Sequence, residues 1–293
     1  MDRRAFLELV AAIGASSLAR QAGAATTAAE EGETFGVLVD LTRCAGCRMC
    51  ELSCAEANGL PEPEWDDAVD DVKRPTSERQ WTVVNRFETS RGEVFVKRQC
   101  MHCLAPACAS ACLTKAMCKT EEGPVVWRED RCMGCRYCMI ACPFDAPKFE
   151  YSSPIPKIQK CRMCWERVAE GELPACVENC PNEALTFGKR SELLEIARQR
   201  IYENPGEYVS HIYGEHEAGG TGWLYISPVP FEELGFPTDV GEESYPETTR
   251  DFLTSVPVVL TLWPAFLLGL RRATAAAEDR GADPPDDAPE EEV

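Results

Sequence analysis

The chain has 293 residues, of which 44% are hydrophobic, and a formal net charge of −19. This length allows one large domain or two moderate ones, with a packed core that needs no covalent cross-links. The strong negative charge argues against nucleic acid as a partner, because phosphate binding needs a basic face. The density of the 17 cysteines is below that of a small disulfide scaffold, so their spacing has to decide their role.

The N-terminus predicts an export signal. In "MDRRAFLELVAAIGASSLARQAGAA", Arg3 and Arg4 precede Phe6, Leu7 and a short apolar stretch that ends in small residues. This stretch is too short to span a membrane, and the arginine pair resembles the twin-arginine signal that exports folded, cofactor-loaded proteins. We therefore expect residues 1–24 to be a signal peptide. An ordinary secretory signal and an amphipathic helix are the alternatives.

Sixteen of the cysteines fall into four sets of four. The sets are Cys44, Cys47, Cys50 and Cys54; Cys100, Cys103, Cys108 and Cys112; Cys132, Cys135, Cys138 and Cys142; and Cys161, Cys164, Cys176 and Cys180. Sets one and three have the unbroken C-x-x-C-x-x-C-x-x-x-C spacing. Sets two and four have four and eleven residues between the second and third cysteines. Cys118 belongs to no set, and we expect it to be a buried or spare thiol.

This spacing is typical of ligands for iron–sulfur clusters. A cubane cluster needs four converging thiolates, and a C-x-x-C-x-x-C loop can wrap three of its corners. The remote fourth cysteine, which Pro143 follows in set three and Pro181 in set four, ligates the other cluster of a pair. Because only the thiols have to converge, the longer spacers of sets two and four are tolerable. The sequence therefore predicts paired 4Fe-4S clusters.

Other uses of the same cysteines fit less well. Zinc sites take two C-x-x-C pairs per ion, not triplets with a distant fourth member. A c-type haem is excluded because no histidine directly follows any C-x-x-C pair. A disulfide framework suits an exported protein, yet it does not explain the repeated ferredoxin spacing. Zinc and disulfides remain alternatives at this point.

Basic residues concentrate around the cysteine sets. Residues 97–167 contain twelve basic and seven acidic residues, a net charge of +5 in a chain of −19. Clusters with thiolate ligands are anionic, so nearby cations favour the reduced state and tune the potential. Lys160 and Arg162, which flank Cys161, are the strongest candidates for this role. A solvated basic surface is the alternative interpretation.

Several longer phrases resemble one known family. They are "KRQCMHC", "GCRYCMIACPF", "KCRMCWERV", "LPACVENCP" and "IYGEHEAGGTGWLYIS", and the likeness covers roughly residues 36–270. The chain is similar to the four-cluster electron-transfer subunits of membrane oxidoreductases. The likeness is greatest to the exported iron–sulfur subunit of hydrogenase-2-type systems and then to the beta subunit of formate dehydrogenase N. The iron–sulfur subunit of DMSO reductase is related.

This resemblance implies which cysteines share a cluster, because in the family the two inner sets pair and the two outer sets pair. The implied groups are Cys44, Cys47, Cys50 and Cys180 (group A); Cys161, Cys164, Cys176 and Cys54 (group B); Cys100, Cys103, Cys108 and Cys142 (group C); and Cys132, Cys135, Cys138 and Cys112 (group D). The implied fold is α+β, with two pseudo-symmetric ferredoxin-like modules and four cubane clusters. The inner module, about 93–152, is inserted in the outer one within residues 36–190.

Short apolar segments predict the strands of this fold. They are "GVLVD" at 36–40, "VFVKR" at 94–98, "PVVW" at 124–127 and "ALTFG" at 184–188. The polar, proline-bearing stretch from Pro61 to Trp81 is typical of a surface loop. The apolar spacing in "SELLEIARQRIYENP" predicts a helix that ends before Pro205.

Residues 191–250 form the predicted docking extension. Their glycine-rich "GEHEAGGTGW" lacks the lysine and the strand-to-helix context of a phosphate loop. His211, Glu215 and His216 could in principle bind a metal, but such a loop more often has a structural role. The family resemblance implies that this segment serves packing and docking.

Residues 252–270 predict a membrane anchor. These 19 residues carry no charge, and at about 1.5 Å per residue their helix nearly matches a hydrocarbon core of about 30 Å. The arginines at 271 and 272 obey the positive-inside rule if the body of the protein lies outside the cytoplasm. A buried core helix is the alternative, because two prolines weaken the segment. We expect the acidic, proline-rich tail, 271–293, to be disordered.

These features predict an electron-transfer subunit at the periplasmic face of the cytoplasmic membrane. Its partners would be a catalytic subunit, first of all a nickel–iron hydrogenase, and a quinone-reactive membrane subunit. The beta subunit of a molybdopterin enzyme such as formate dehydrogenase is the alternative, and a metal-bearing scaffold or assembly protein is more remote. We expect no catalytic residue, because the sequence has no dinucleotide fingerprint, P-loop or nucleophile with its base.

Overall fold

The structure, a computed structural model, describes residues 33–65 and 72–281. The predicted signal peptide, 1–24, and the end of the predicted tail, 282–293, lie outside these residues. The chain divides into two units at Tyr245. The first unit contains all the cysteine sets and mixes short helices with short strands, as a ferredoxin-type fold does.

The strands are β1 (Phe35–Asp40), β2 (Val83–Thr89), β3 (Gly92–Arg98), β4 (Met117–Lys119), β5 (Val125–Trp127), β6 (Lys148–Phe149), β7 (Ile158–Gln159), β8 (Leu185–Lys189) and β9 (Trp223–Ile226). The α-helices are α1 (Met49–Asn58), α2 (Ala107–Ser110), α3 (Tyr137–Ile140), α4 (Trp165–Ala169), α5 (Ala175–Glu178), α6 (Arg190–Glu203) and α7 (Tyr245–Gly281). The four predicted strands coincide with β1, β3, β5 and β8, and α6 ends before Pro205 as predicted.

A three-stranded sheet organises the first unit, in the order β8-β1-β9. β1 is antiparallel to β8 and parallel to β9, so that Val37 lies opposite both Phe187 and Trp223. β1 is buried on both faces because Leu38 packs against α6 while Val37 belongs to the main core. β9 lies within the predicted docking extension. That extension therefore supplies a strand to the sheet of the predicted outer module.

The three remaining strand pairs are antiparallel: β2 with β3, β4 with β5, and β6 with β7. They flank the cysteine sets, which lie on the connecting loops and short helices. Val83 at the start of β2 lies opposite Arg98 at the end of β3, immediately before the second set. The sequence predicted β3 but not β2, which follows the long polar stretch.

Aromatic side chains from the predicted extension fill the main core. The rings of Tyr213 and Phe236 have centroids 4.6 Å apart, and those of Phe231 and Phe236 are 5.2 Å apart. Tyr213, Tyr225 and Phe231 are almost fully buried. Because aromatic side chains supply the largest buried areas of a core, this extension stabilises the same unit that holds the cysteines.

The second unit is helix α7. Its segment Tyr245–Arg272 has 28 residues and a mean hydropathy of 1.8, and it is the one helix in the described residues long and apolar enough to cross a membrane. The helix continues through Pro257 and Pro264. It starts before the predicted residue 252 and runs to Gly281, so residues 271–281, which we expected to be disordered, are helical.

Candidate metal centres

The four cysteine sets share a backbone feature that their spacing does not reveal. The residue just before the second cysteine has a positive φ in every set: Gly46 at 69°, His102 at 49°, Gly134 at 72° and Met163 at 54°. This left-handed conformation is unfavourable for histidine and methionine, and it persists only where the surroundings impose it. His102 and Met163 are each 1% exposed, so the packed core imposes this turn in the second and fourth sets.

A second repeat follows the last cysteine of sets two, three and four. Lys115, Asp145 and Glu183 stand three residues after that cysteine and have φ values of 55°, 49° and 49°. Each donates its backbone N–H to the carbonyl of the cysteine three residues earlier, over 3.1 to 3.3 Å. Set one differs because Cys54 lies inside α1, which continues to Asn58. The sets are thus variants of one loop structure.

The cysteines of group A, Cys44, Cys47, Cys50 and Cys180, line one small cavity. The first three come from the loop after β1 and the start of α1, and Cys180 comes from the turn after α5. Burial raises the pKa of Cys44, and the charges of Cys180 and Cys47 raise it further. The structure therefore brings together thiols that lie more than 130 residues apart in the chain.

Group B, which comprises Cys54, Cys161, Cys164 and Cys176, lines a second small cavity. Burial raises the pKa of Cys161 to about 12. Burial also raises the pKa of Cys54, and the charges of Cys161, Cys176 and Cys164 add to that rise. Helix α1 thus directs Cys50 to one cavity and Cys54 to the other.

In groups C and D, as in groups A and B, the thiols of one group raise each other's pKa values. In group C, burial raises the pKa of Cys103, and the charges of Cys100, Cys142 and Cys108 raise it further. In group D, burial raises the pKa of Cys138 to about 11, with further contributions from Cys112, Cys132 and Cys135. Each implied ligand group is therefore a set of mutually interacting thiols. Their ligation of a cluster stays a prediction.

Three electrostatic interactions between thiols of different groups give the order of the groups. Burial raises the pKa of Cys50 in group A, and Lys97 lowers it. Cys176 of group B raises it further. Cys100 of group C raises the pKa of Cys161 in group B. Cys138 of group D raises the pKa of Cys108 in group C. The resulting order is A, B, C, D.

The chemistry of these thiols suits iron–sulfur ligation. All 17 cysteines lie in the described residues, and each has a free thiol. A buried thiol with a raised pKa stays protonated unless positive charge approaches it, whereas a metal-bound thiol is deprotonated. Cys118 stands apart from the four groups, on β4 opposite Val126.

Buried lysines lie among the groups. Lys160 is 3% exposed and donates to the carbonyls of Val125 and Cys161, the latter over 3.0 Å. Its charge lowers the pKa of Cys108 in group C. Arg162, the other predicted tuning residue, is partly exposed and pairs with Glu166. The sequence analysis counted Lys97 among the basic residues but singled out Lys160, although Lys97 lines the cavities of both group A and group B.

The residues of the glycine-rich segment have other partners. His211 Nε2 lies 2.7 Å from Glu217, and Glu215 pairs with Arg198. Gly222 donates to Met101 over 3.0 Å, and Leu104 donates to Gly220 over 2.9 Å. This segment therefore packs on the loop of the second cysteine set. Among the described residues, no group of three or more His, Cys, Asp and Glu forms a site for a single metal ion.

Comparison with known proteins gives concordant results. Residues 93–190 match the family model of the 4Fe-4S dicluster domain. The chain is 35% identical over 276 residues to hydrogenase-2 operon protein HybA of Escherichia coli O157:H7, covering 81% of this chain and 84% of that protein.

Two further relatives show the same likeness. A protein of Nitratidesulfovibrio vulgaris, strain Hildenborough, is 48% identical over 294 residues, or 97% of this chain and 80% of that protein. The nitrate-inducible formate dehydrogenase iron–sulfur subunit of Escherichia coli K12 is 33% identical over 198 residues, or 64% of this chain and 66% of that subunit.

Proposed function

Since the chain belongs to the 4Fe-4S protein family that includes HybA and the iron–sulfur subunits of formate dehydrogenases, we propose that it relays electrons through four 4Fe-4S clusters. The relay joins a periplasmic catalytic subunit to a quinone-reactive membrane subunit. The observation that carries this proposal is the division of sixteen thiols, all but Cys47 and Cys135 buried or partly buried, into four interacting groups in a row.

The proposed ligands are the cysteines of groups A, B, C and D, one group for each cluster. When bound, the clusters supply one-electron redox chemistry at potentials that their protein surroundings set. The chain contributes the rigid positions of the thiols. Short helices and left-handed turns fix these positions, and the three-stranded sheet with its aromatic core supports them.

The row of groups defines the proposed route. Groups A and D are the two ends, and groups B and C lie between them. Because α1 contributes Cys50 to group A and Cys54 to group B, one helix sets the spacing of two adjacent groups. The substrate reaction belongs to a partner subunit, and this chain contributes no catalytic residue to it.

A nickel–iron hydrogenase is the first proposed catalytic partner. The supporting observation is that the likeness to the hydrogenase-2 operon protein extends over 84% of that protein. A molybdopterin enzyme such as formate dehydrogenase is the second, because the likeness to a formate dehydrogenase iron–sulfur subunit spans 66% of that subunit. The apolar helix α7 supports an anchor in the cytoplasmic membrane, and export by the twin-arginine route is part of the proposal.

The partner can be identified by its metal. The complex would be purified from detergent-solubilised membranes through a tag on this chain, and its nickel, molybdenum, tungsten, zinc, iron and labile sulfide would be measured. Nickel with iron and sulfide supports the hydrogenase partner, and molybdenum or tungsten supports the molybdopterin partner. Zinc without labile sulfide would overturn the electron-transfer function and leave the scaffold interpretation.

A further inference from the structure

Lys97 is a buried cation without a carboxylate partner in the described residues. It is the last but one residue of β3 and is 2% exposed. Its Nζ donates to Gln99 Oε1 over 2.9 Å and lies 4.4 Å from the centroid of the Trp223 ring. Neither neighbour carries a negative charge. Burial of an ammonium group is strongly unfavourable unless anions lie close to it.

The groups beside Lys97 that become anionic when they bind a metal are thiols from two different ligand groups. Lys97 lines the cavity of group A and also that of group B. Its charge lowers the pKa of five thiols, namely Cys44 and Cys50 of group A and Cys54, Cys161 and Cys164 of group B. Burial lowers the pKa of Lys97 itself, but the charges of Cys176, Cys50, Cys161 and Tyr225 outweigh burial, and the net shift is upward.

The position of Lys97 is fixed by a closed set of hydrogen bonds. The Gln99 side chain that accepts from Lys97 donates its Nε2 to the Tyr225 hydroxyl over 2.7 Å. That hydroxyl in turn donates to the Lys97 carbonyl over 3.0 Å. Trp223 and Tyr225 both belong to β9 and are fully buried. The strand supplied by the predicted docking extension therefore holds the ammonium group between the two cavities.

We propose that Lys97 is a fixed, buried cation that lies beside two adjacent clusters. Its charge raises the reduction potentials of the clusters held by groups A and B. This inference rests on the proposed ligand groups. A cubane with four thiolate ligands is anionic and becomes more so on reduction. A fixed cation in surroundings of low polarity therefore stabilises the reduced form more than the oxidised form.

Lys97 lines the cavities of groups A and B, whereas other lysines lie beside group C. In group C, the lysines that lower thiol pKa values are Lys119 for Cys103 and Lys160 for Cys108 and Cys142. Lys119 donates to the carbonyl of Cys103 in group C, and Lys160 donates to the carbonyls of Val125 and of Cys161 in group B. Loss of the charge at Lys97 is therefore expected to reach two clusters and to leave the other two unchanged.

The test compares Lys97→Met and Lys97→Arg with the parent protein in the complex purified from membranes. The control is Lys189→Met, which removes a half-exposed lysine that pairs with Glu33 on the surface. Redox titration followed by electron paramagnetic resonance gives the potential of each cluster, and iron and sulfide analysis gives the loading. Lys97→Met should keep the iron and shift two potentials to more negative values. Lys97→Arg and Lys189→Met should keep the parental potentials.

The role of Lys97 would be overturned if Lys97→Met bound full iron and kept all four parental reduction potentials. An equal shift in the potentials of all clusters, or the same shift in Lys189→Met, would overturn it too. If Lys97→Met loses iron, Lys97→Gln and Lys97→Arg decide. If only the arginine variant binds the full complement of iron, the need for a charge is supported. If the glutamine variant binds full iron with parental potentials, or if the arginine variant also loses iron, the need for a charge is contradicted. The iron content of the parent tests the four-cluster proposal separately.

Discussion

The carboxylate of Glu51 lies 2.7 Å from Nη2 of Arg74, and this buried ion pair fastens the polar segment after the first cysteine set to helix α1. The same carboxylate accepts from the Val84 backbone N–H over 2.6 Å and from Gln80 over 2.8 Å. Arg48 is a second cation at 2.9 Å. Because Glu51 follows Cys50 directly, this network orients the helix that carries the ligands of groups A and B.

Glu51→Ala should destabilise the protein severely. It leaves two largely buried guanidinium groups without their shared carboxylate, and breaking a buried ion pair in this way costs about 3–5 kcal/mol. Thermal unfolding of the purified variant should show a clear fall in Tm together with a loss of iron. Glu56→Ala, at an exposed position of the same helix, is the matched control and should unfold like the parent. Equal melting temperatures for the two variants would refute this account of the network.

Cys138→Ser should damage one cluster. Cys138 is 9% exposed and interacts with the other three thiols of group D, so its loss removes one of four proposed ligands. We expect less iron per chain and the loss or alteration of one paramagnetic signal. Cys118→Ser is the matched control, because Cys118 belongs to no group. Identical iron contents in the two variants would rule out the assignment of Cys138 as a ligand.

Gly46→Ala should be more harmful than Gly134→Ala, although both glycines occupy the same place in the repeated loop. Their φ values are 69° and 72°, so each alanine adopts a left-handed conformation that costs about 1–2 kcal/mol. At Gly46 the new Cβ would also overlap the Phe95 ring, whereas nothing lies within 4 Å at Gly134. Melting temperatures and iron contents of the two variants provide the comparison. A larger loss for Gly134→Ala would contradict the packing described here.

Removal of α7 should release the protein from the membrane. The segment Tyr245–Arg272 is apolar and has no part of its most apolar stretch buried within the structure, as expected of a helix that faces lipid. A chain that ends at Ser244 should be extracted by alkaline carbonate, which removes peripheral proteins from membranes, while the full chain should stay in the pellet. Extraction of both chains would show that α7 is not an anchor.

Local patterns in the sequence predicted the parts of the fold that local residues determine. The thiol spacing marked the loops, and apolar runs marked β1, β3, β5 and β8. β9, Trp223–Ile226, was missed because only the apolar runs that flank the cysteine sets were interpreted as strands, and it lies outside those sets. Its strand conformation depends on pairing with β1, far away in the chain.

In the candidate site, too, local sequence patterns did not reveal contacts between distant segments. Lys160 was predicted from its place beside Cys161, and it is buried near group C. Lys97 was not singled out because its significance depends on Trp223, Gln99 and two cavities whose thiols come from distant segments. The extension of α7 past Leu270 was also missed, since the arginines and alanines that follow it favour helix but were interpreted as the start of a tail.

The number of clusters tests the central claim most directly. The full chain would be purified in detergent without exposure to oxygen, and its iron and acid-labile sulfide would be measured per chain. Four cubane clusters predict about sixteen irons and about sixteen sulfides. About eight of each, enough only for one pair of clusters, would contradict the continuous row of four groups on which the proposed electron route depends.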